Sequence, residues 1–138
     1  LIQGEADGAR LTEHELHQNC IFILNAGHET TTNLIGNGLV ALTEWPQERA
    51  RLIASPGLIR TAVEEFLRFE SSNQLGNRMT TRAVSIGDVE IAAGTSITLL
   101  IGAANRDLAR FSAPDRLDVG RNPNRNTILA VFRLCRPC

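Results

Sequence analysis

The chain has 138 residues, of which 43% are hydrophobic and 21% charged, and a net charge of −1. That length suits one domain, here taken as 1–138, and the composition is that of an ordinary globular protein. There is no basic block to bind nucleic acid, and the unbroken apolar runs, Ile21 to Leu24 among them, are far too short to span a membrane.

Three cysteines, two of them in the last four residues, make no disulfide framework, so a reducing cytoplasm is the expected compartment. The first residue is Leu1 rather than Met, which suggests a fragment.

The first predicted element is a long helix. Thr12-Glu13-His14-Glu15 matches the capping-box pattern, with Thr12 as N-cap and Glu15 reaching back. Apolar residues run through Leu16, Cys20 and Ile21 to Leu24, then resume from Leu34 to Leu42. Ile21 to Leu24 is apolar on every side of the helix, which predicts burial. Pro46 ends the run and pushes Trp45 out of helical geometry. From Glu13 to Glu44 the helix is about 48 Å long, so it should cross the core of something larger than this chain.

A second helix is predicted from Pro46 to about Ala54, closed by Pro56-Gly57. A third runs from Leu58 to about Phe69, with Ile59, Ala62, Val63, Phe66 and Leu67 at three- and four-residue spacing. After Ser71-Ser72-Asn73 the period changes. Val84 and Ile86 alternate, Gly87-Asp88 turns the chain, and Val89 and Ile91 alternate again. Ile97, Leu99 and Ile101 form a third short strand, and Asn105 to Phe111 has room for one helical turn. From Ser112 onward no regular element is predicted. The fold class is therefore mainly α with a small β-sheet.

Ala26-Gly27-His28-Glu29-Thr30-Thr31 stands in the middle of the long helix. Acids and hydroxyls favour caps over helix interiors, while small residues let something approach the backbone. A hydroxyl beside an acid can relay protons in a dry cleft; the alternative is two helix-packed polar groups. Glu65 and Arg68 lie one turn apart, and a helical wheel puts them away from the apolar stripe. Sequence alone thus predicts a solvated pair worth about 0.2–0.5 kcal/mol. The tail Phe132-Arg133-Leu134-Cys135-Arg136-Pro137-Cys138 holds a Cys-x-x-Cys, which serves as half a zinc site or a redox pair in other proteins. Beside Arg136, Cys138 could instead present a thiolate to a metal. His14, His17 and His28 lack the spacing of a zinc protease and are read as non-ligands.

In order and spacing, these residues resemble the cytochrome P450 family. Ala26 to Thr31 resembles the oxygen-activation motif of its central I helix, and Glu65-Phe66-Leu67-Arg68 the Glu-x-x-Arg motif of its K helix. Ala103-Ala104-Asn105-Arg106-Asp107 and Ala113 to Asp118 resemble the segments that follow in soluble bacterial members. The resemblance runs from about Leu11 to Asn126. It implies part of the P450 fold: the long I helix, the J and K helices, short strands and the meander.

The resemblance also implies roles. Ala26 and Gly27 would let the helix pass over a haem b. Thr30 with Glu29 would deliver protons to dioxygen so that the O–O bond breaks heterolytically. Glu65 and Arg68 would pair with Arg116 in a buried structural triad. Arg78 falls where the family places an arginine on a haem propionate, and residues near Leu75 and Leu100-Ile101 would border the substrate pocket. Cys138 would be the axial ligand of the haem iron, with Arg136 at the basic position of the haem loop. The implied activity is a haem-thiolate monooxygenase that inserts one oxygen atom from O2 into a small apolar substrate. Its electrons would come from a donor such as a ferredoxin with its NAD(P)H reductase. The parent protein would be a cytoplasmic monomer with no nucleic-acid or membrane partner.

Three departures stand out. Ser72 and Ala92 replace common prolines. The tail from Val131 to Leu134 lacks the glycines that let the haem loop pass close to the ring, and a frame change after about Asn126 would produce such a tail, making 127–138 aberrant. The chain on its own is then expected to be inactive. The competing reading is a non-catalytic helical fragment that binds no haem.

Overall fold

The computed structural model describes residues 5–6 and 9–126. Two short strands, β1 (Glu5–Ala6) and β2 (Ala9–Arg10), pair antiparallel and lead into α1 (Glu13–Glu44). The capping box forms as its sequence predicts. Thr12 Oγ1 accepts from the Glu15 amide at 3.2 Å, and Glu15 Oε2 accepts from the Thr12 amide at 2.9 Å. The Thr12 amide and, at 2.8 Å, the Thr12 hydroxyl donate to that carboxylate, favour its ionised form and hold Glu15 below the usual carboxylate range.

At the other end Trp45 leaves helical geometry (φ −118°, ψ 70°) before α2 (Pro46–Ala54). A single 3₁₀ turn, Pro56–Leu58, then feeds α3 (Ile59–Phe69). β3 (Leu75–Met79), β4 (Val84–Ile86), β5 (Val89–Ile91), β6 (Ser96–Leu100) and α4 (Ile101–Ala104) complete the order.

β4 and β5 form the expected hairpin, turning at Gly87, whose φ of +58° suits glycine. β6 pairs antiparallel with β3, from Leu75↔Leu100 to Met79↔Ser96. β3 was not legible in the sequence: Leu-Gly-Asn-Arg-Met has no apolar alternation, and its ladder comes from a partner some twenty residues away. The helical turn expected at 105–111 sits earlier, at Ile101–Ala104. It is followed by turns in which the Phe111 amide donates to the Asp107 carbonyl at 2.8 Å.

The core lies between the C-terminal half of α1, α3 and the loop through residue 119. Ala41, Phe69 and Leu117 are buried together, with Trp45 and Phe66 packed against them. Trp45 meets Phe69 edge-on, the centroids 6.2 Å apart. Asn37 Nδ2 donates to the Glu70 carbonyl at 3.1 Å and ties α1 to the end of α3.

The N-terminal half of α1 behaves differently. Ile21, Phe22, Ile23 and Leu24 are 58%, 69%, 53% and 76% exposed among the described residues, as expected of a helix that crosses the core of something larger than this chain. All-round apolarity demands cover, but the described elements pack only on the later turns, where Gly38 and Ala41 are buried. Among the described residues no helix is long and apolar enough to cross a membrane.

α1 and α3 meet closely at Gly38, where a Cβ would stand 2.9 Å from Phe66 Cδ2. Gly38→Leu should therefore lower the unfolding midpoint, because overpacking costs about 1–3 kcal/mol. Gly38→Ala should cost less, since alanine regains about 1 kcal/mol of helix propensity. A urea melt checks this; an unchanged midpoint for Gly38→Leu would mean the helices do not touch there.

Candidate functional site

The centre of α1 is built by helix hydrogen bonding and small side chains. Thr30 Oγ1 donates to the Ala26 carbonyl at 2.9 Å, and Thr32 Oγ1 to the His28 carbonyl at 2.7 Å. Each hydroxyl thus folds onto its own helix one turn back. Its proton rests on a carbonyl, while its oxygen stays able to accept.

At Gly27, as at Gly36, no described atom beyond the helix's own backbone and the adjoining residues lies within 4 Å of where a Cβ would be. Glu29 is exposed and Thr30 half-buried. The result is an open small-residue step flanked by an acid and a hydroxyl, continuous with the exposed apolar turn at Ile21–Leu24. A flat apolar group can lie against such a step. Thr30 can accept a hydrogen bond from a guest, or rotate off Ala26 and donate one.

Arg78 stands on β3 opposite Ile97, half-buried. Its Nη1 donates to the Asn77 carbonyl at 2.7 Å, which steadies the guanidinium.

The second constellation is interior. Glu65 is fully buried and Arg68 is 1% exposed. The surface pair read from the helical wheel is therefore wrong: the polar face of α3 is covered by the 105–124 segment, which packs over it. Arg68 grips Glu65 bidentately, Nε to Oε2 at 2.8 Å and Nη2 to Oε1 at 2.9 Å. Its Nη1 donates to the carbonyls of Asn105 and Pro114 at 2.8 and 2.9 Å. The guanidinium also lies over the rings of Phe69 and Phe111, 5.6 and 5.3 Å from their centroids.

The third cation is Arg121 and not Arg116. Arg121 Nε donates to both Glu65 oxygens, at 3.1 and 3.0 Å. Asn124 Nδ2 and the Asp118 amide complete the shell, at 2.9 and 3.1 Å. A carboxylate offers about four lone-pair sites, and these donors fill them. Arg116 has an exposed side chain and contributes its carbonyl, which accepts from Arg68 Nη2 at 3.4 Å and Arg121 Nη2 at 3.1 Å. Sequence reasoning missed Arg121 and Asn124. Both lie in an irregular stretch with no periodicity to mark which side chains turn inward.

A neighbouring pair braces the same loop. Glu48 is buried and accepts from the Val119 amide at 3.1 Å, while Arg51 Nη1 donates to Asp118 Oδ1 at 2.8 Å. Burial pushes the Asp118 carboxyl up. The Gly120 amide, Arg51 and Arg121 outweigh that and hold it below the usual carboxylate range.

Among the described residues no cluster of three or more His, Cys, Asp or Glu could hold a metal ion. Cys20 is a free, exposed cysteine on α1. Arg136, Cys135 and Cys138 lie outside the described residues.

The cytochrome P450 family profile matches residues 57–131. A biotin biosynthesis cytochrome P450 of Bacillus subtilis is 45% identical over 124 residues, covering 90% of this chain and 31% of that relative. A vitamin D(3) 25-hydroxylase of Pseudonocardia autotrophica is 46% identical over 123 residues, 88% of this chain and 30% of that one. The crystal structure of P450BioI in complex with hexadec-9Z-enoic acid ligated acyl carrier protein superposes with a TM-score of 0.81 at 44% identity, covering 86% of this chain and 31% of that one. The chain thus spans about 30% of the length of the relatives it matches.

Proposed function

Because the chain belongs to the cytochrome P450 family, we propose that it is the I-helix-to-meander segment of a haem-thiolate monooxygenase that inserts one oxygen atom from O2 into an apolar organic substrate. The observation that carries this reading is the open step at Gly27 beside the Thr30 hydroxyl.

Among the described residues, two features suit a haem, while the tail after Asn126 departs from the family's haem loop. The small-residue step and the exposed apolar turn before it suit a flat apolar ring. The Arg78 guanidinium suits a propionate. The proposed axial thiolate is Cys138, with Arg136 beside it. Haem, when bound, supplies the one-electron and dioxygen chemistry that side chains lack. The chain's own part is positioning and proton handling. Ala26 and Gly27 leave room beside the backbone. Thr30 Oγ1 holds its proton on the Ala26 carbonyl, accepts a hydrogen bond from the guest, and can pass its own proton on. Glu29, exposed one residue earlier, is the group from which that proton is replaced. Leu75 and Leu100, cross-strand partners that are 59% and 60% exposed, border the substrate space.

A substrate with a long apolar carbon frame is supported by the relatives named for vitamin D(3) and for a hexadecenoyl carrier. Electrons would come from a ferredoxin and its NAD(P)H reductase.

The test uses the longer protein that carries this segment. Gly27→Phe fills the open step, so it should abolish haem uptake or the substrate-induced spectral shift. The helical circular dichroism of α1 should persist, since phenylalanine is a better helix former than glycine. Full haem loading and substrate binding in Gly27→Phe would refute the reading.

A further inference from the structure

We infer that Asn37 is a covalent modification site: its side-chain amide deamidates to aspartate or isoaspartate when α1 lifts from α3, and is protected while the two helices stay docked. It is the one asparagine of the chain that is followed by glycine. The glycine stands there for a packing reason. Gly38 is buried where α1 meets α3, and a Cβ on it would lie 2.9 Å from Phe66 Cδ2 and 3.2 Å from Phe66 Cγ. The close approach that excludes a side chain at 38 also leaves nothing on that residue to hinder attack on Asn37 by its backbone nitrogen.

The reaction needs no reagent but water. The Gly38 nitrogen, giving up its proton, attacks Asn37 Cγ. The N–Cγ bond forms, the Cγ–Nδ2 bond breaks, and Nδ2 leaves as ammonia. Water then opens the cyclic imide at either carbonyl, giving aspartate or isoaspartate. Docking blocks this twice. Inside α1 the Gly38 amide belongs to the i→i−4 ladder, and the helical backbone keeps its nitrogen off the Asn37 side chain. Asn37 Nδ2 is itself held across the seam, donating to the Glu70 carbonyl at 3.1 Å. Local opening releases both restraints, and a reaction through the opened form tracks how often that form is populated.

The product cannot remake the seam. An aspartate has no N–H for the Glu70 carbonyl and sets oxygen against oxygen. An isoaspartate also lengthens the main chain and breaks the helical ladder. Arg106, the cation on Glu70, is already shared among the Phe69 carbonyl, Glu70 and Asp115. Deamidation therefore makes a transient opening of α1 against α3 permanent.

The experiment incubates the full-length protein at neutral pH, folded and unfolded in urea, and follows deamidation at residue 37 by peptide mass mapping. The wild type should deamidate severalfold faster in urea than folded. Gly38→Ala in urea should be severalfold slower than the wild type in urea, because the seam is gone there and only the added Cβ counts. Asn37→Asp, which installs the product, should unfold at a lower urea concentration than the wild type. No deamidation at residue 37 in urea, or equal rates folded and unfolded, would overturn the inference. So would a Gly38→Ala rate in urea equal to that of the wild type, or a wild-type midpoint for Asn37→Asp.

Discussion

Arg68→Ala should leave little folded protein, whether this chain or a longer one carries the change. Arg68 and Glu65 are buried without solvent contact, and the guanidinium also satisfies the carbonyls of Asn105 and Pro114. Removing it leaves a carboxylate and two carbonyls short of donors in a dry interior. Breaking one partner of a buried pair costs about 3–5 kcal/mol, a large part of the roughly 5–15 kcal/mol that holds a domain together. The alanine also opens a void between Phe69 and Phe111, which flank the guanidinium. Arg121 remains on Glu65 and keeps that carboxylate from being wholly unpaired, so the loss belongs at the middle of the range. Arg68→Lys should be intermediate, keeping the charge without the fork. Soluble yield and the urea midpoint measure the effect; wild-type values for Arg68→Ala would mean the pair is exposed after all.

Thr30→Ala should separate stability from chemistry in the full-length enzyme. Alanine is the better helix former, and the lost Oγ1 bond to Ala26 is one the helix does not need. The melting temperature should hold or rise slightly, with haem and substrate binding intact. Product formation should fall by about 100-fold, the lower end of what a positioned proton donor contributes. Reductant should still be consumed, its electrons leaving with O2 as hydrogen peroxide. Thr30→Ser retains a hydroxyl and should recover most of the coupling. Measuring NAD(P)H consumed, product and peroxide together decides the matter: unchanged coupling in Thr30→Ala would make Thr30 a structural residue.

Features written into a few consecutive residues were legible in the sequence. Thr12 and Glu15 cap α1 because their bonds span a single turn. Pro46 breaks the helix at Trp45 by local sterics, and Gly87 turns the β4–β5 hairpin through its own φ. The spacing of Ala62 and Phe66 fixed which face of α3 meets α1, and the order of Ala26–Thr31 and Glu65-x-x-Arg68 carried the family. Tertiary structure alone decided what depends on distant partners. Leu75–Met79 became a strand because Ser96–Leu100 lies beside it. Glu65 and Arg68 went from an apparent surface pair to the interior because residues 105–124 fold over them, with bonds reaching 37 to 59 residues along the chain. Arg121 rather than Arg116 entered that shell: its Nε reaches both Glu65 oxygens, while the Arg116 side chain stays exposed. No local preference encodes that choice: both residues are arginines in irregular chain, and only the saturated carboxylate of Glu65 distinguishes them.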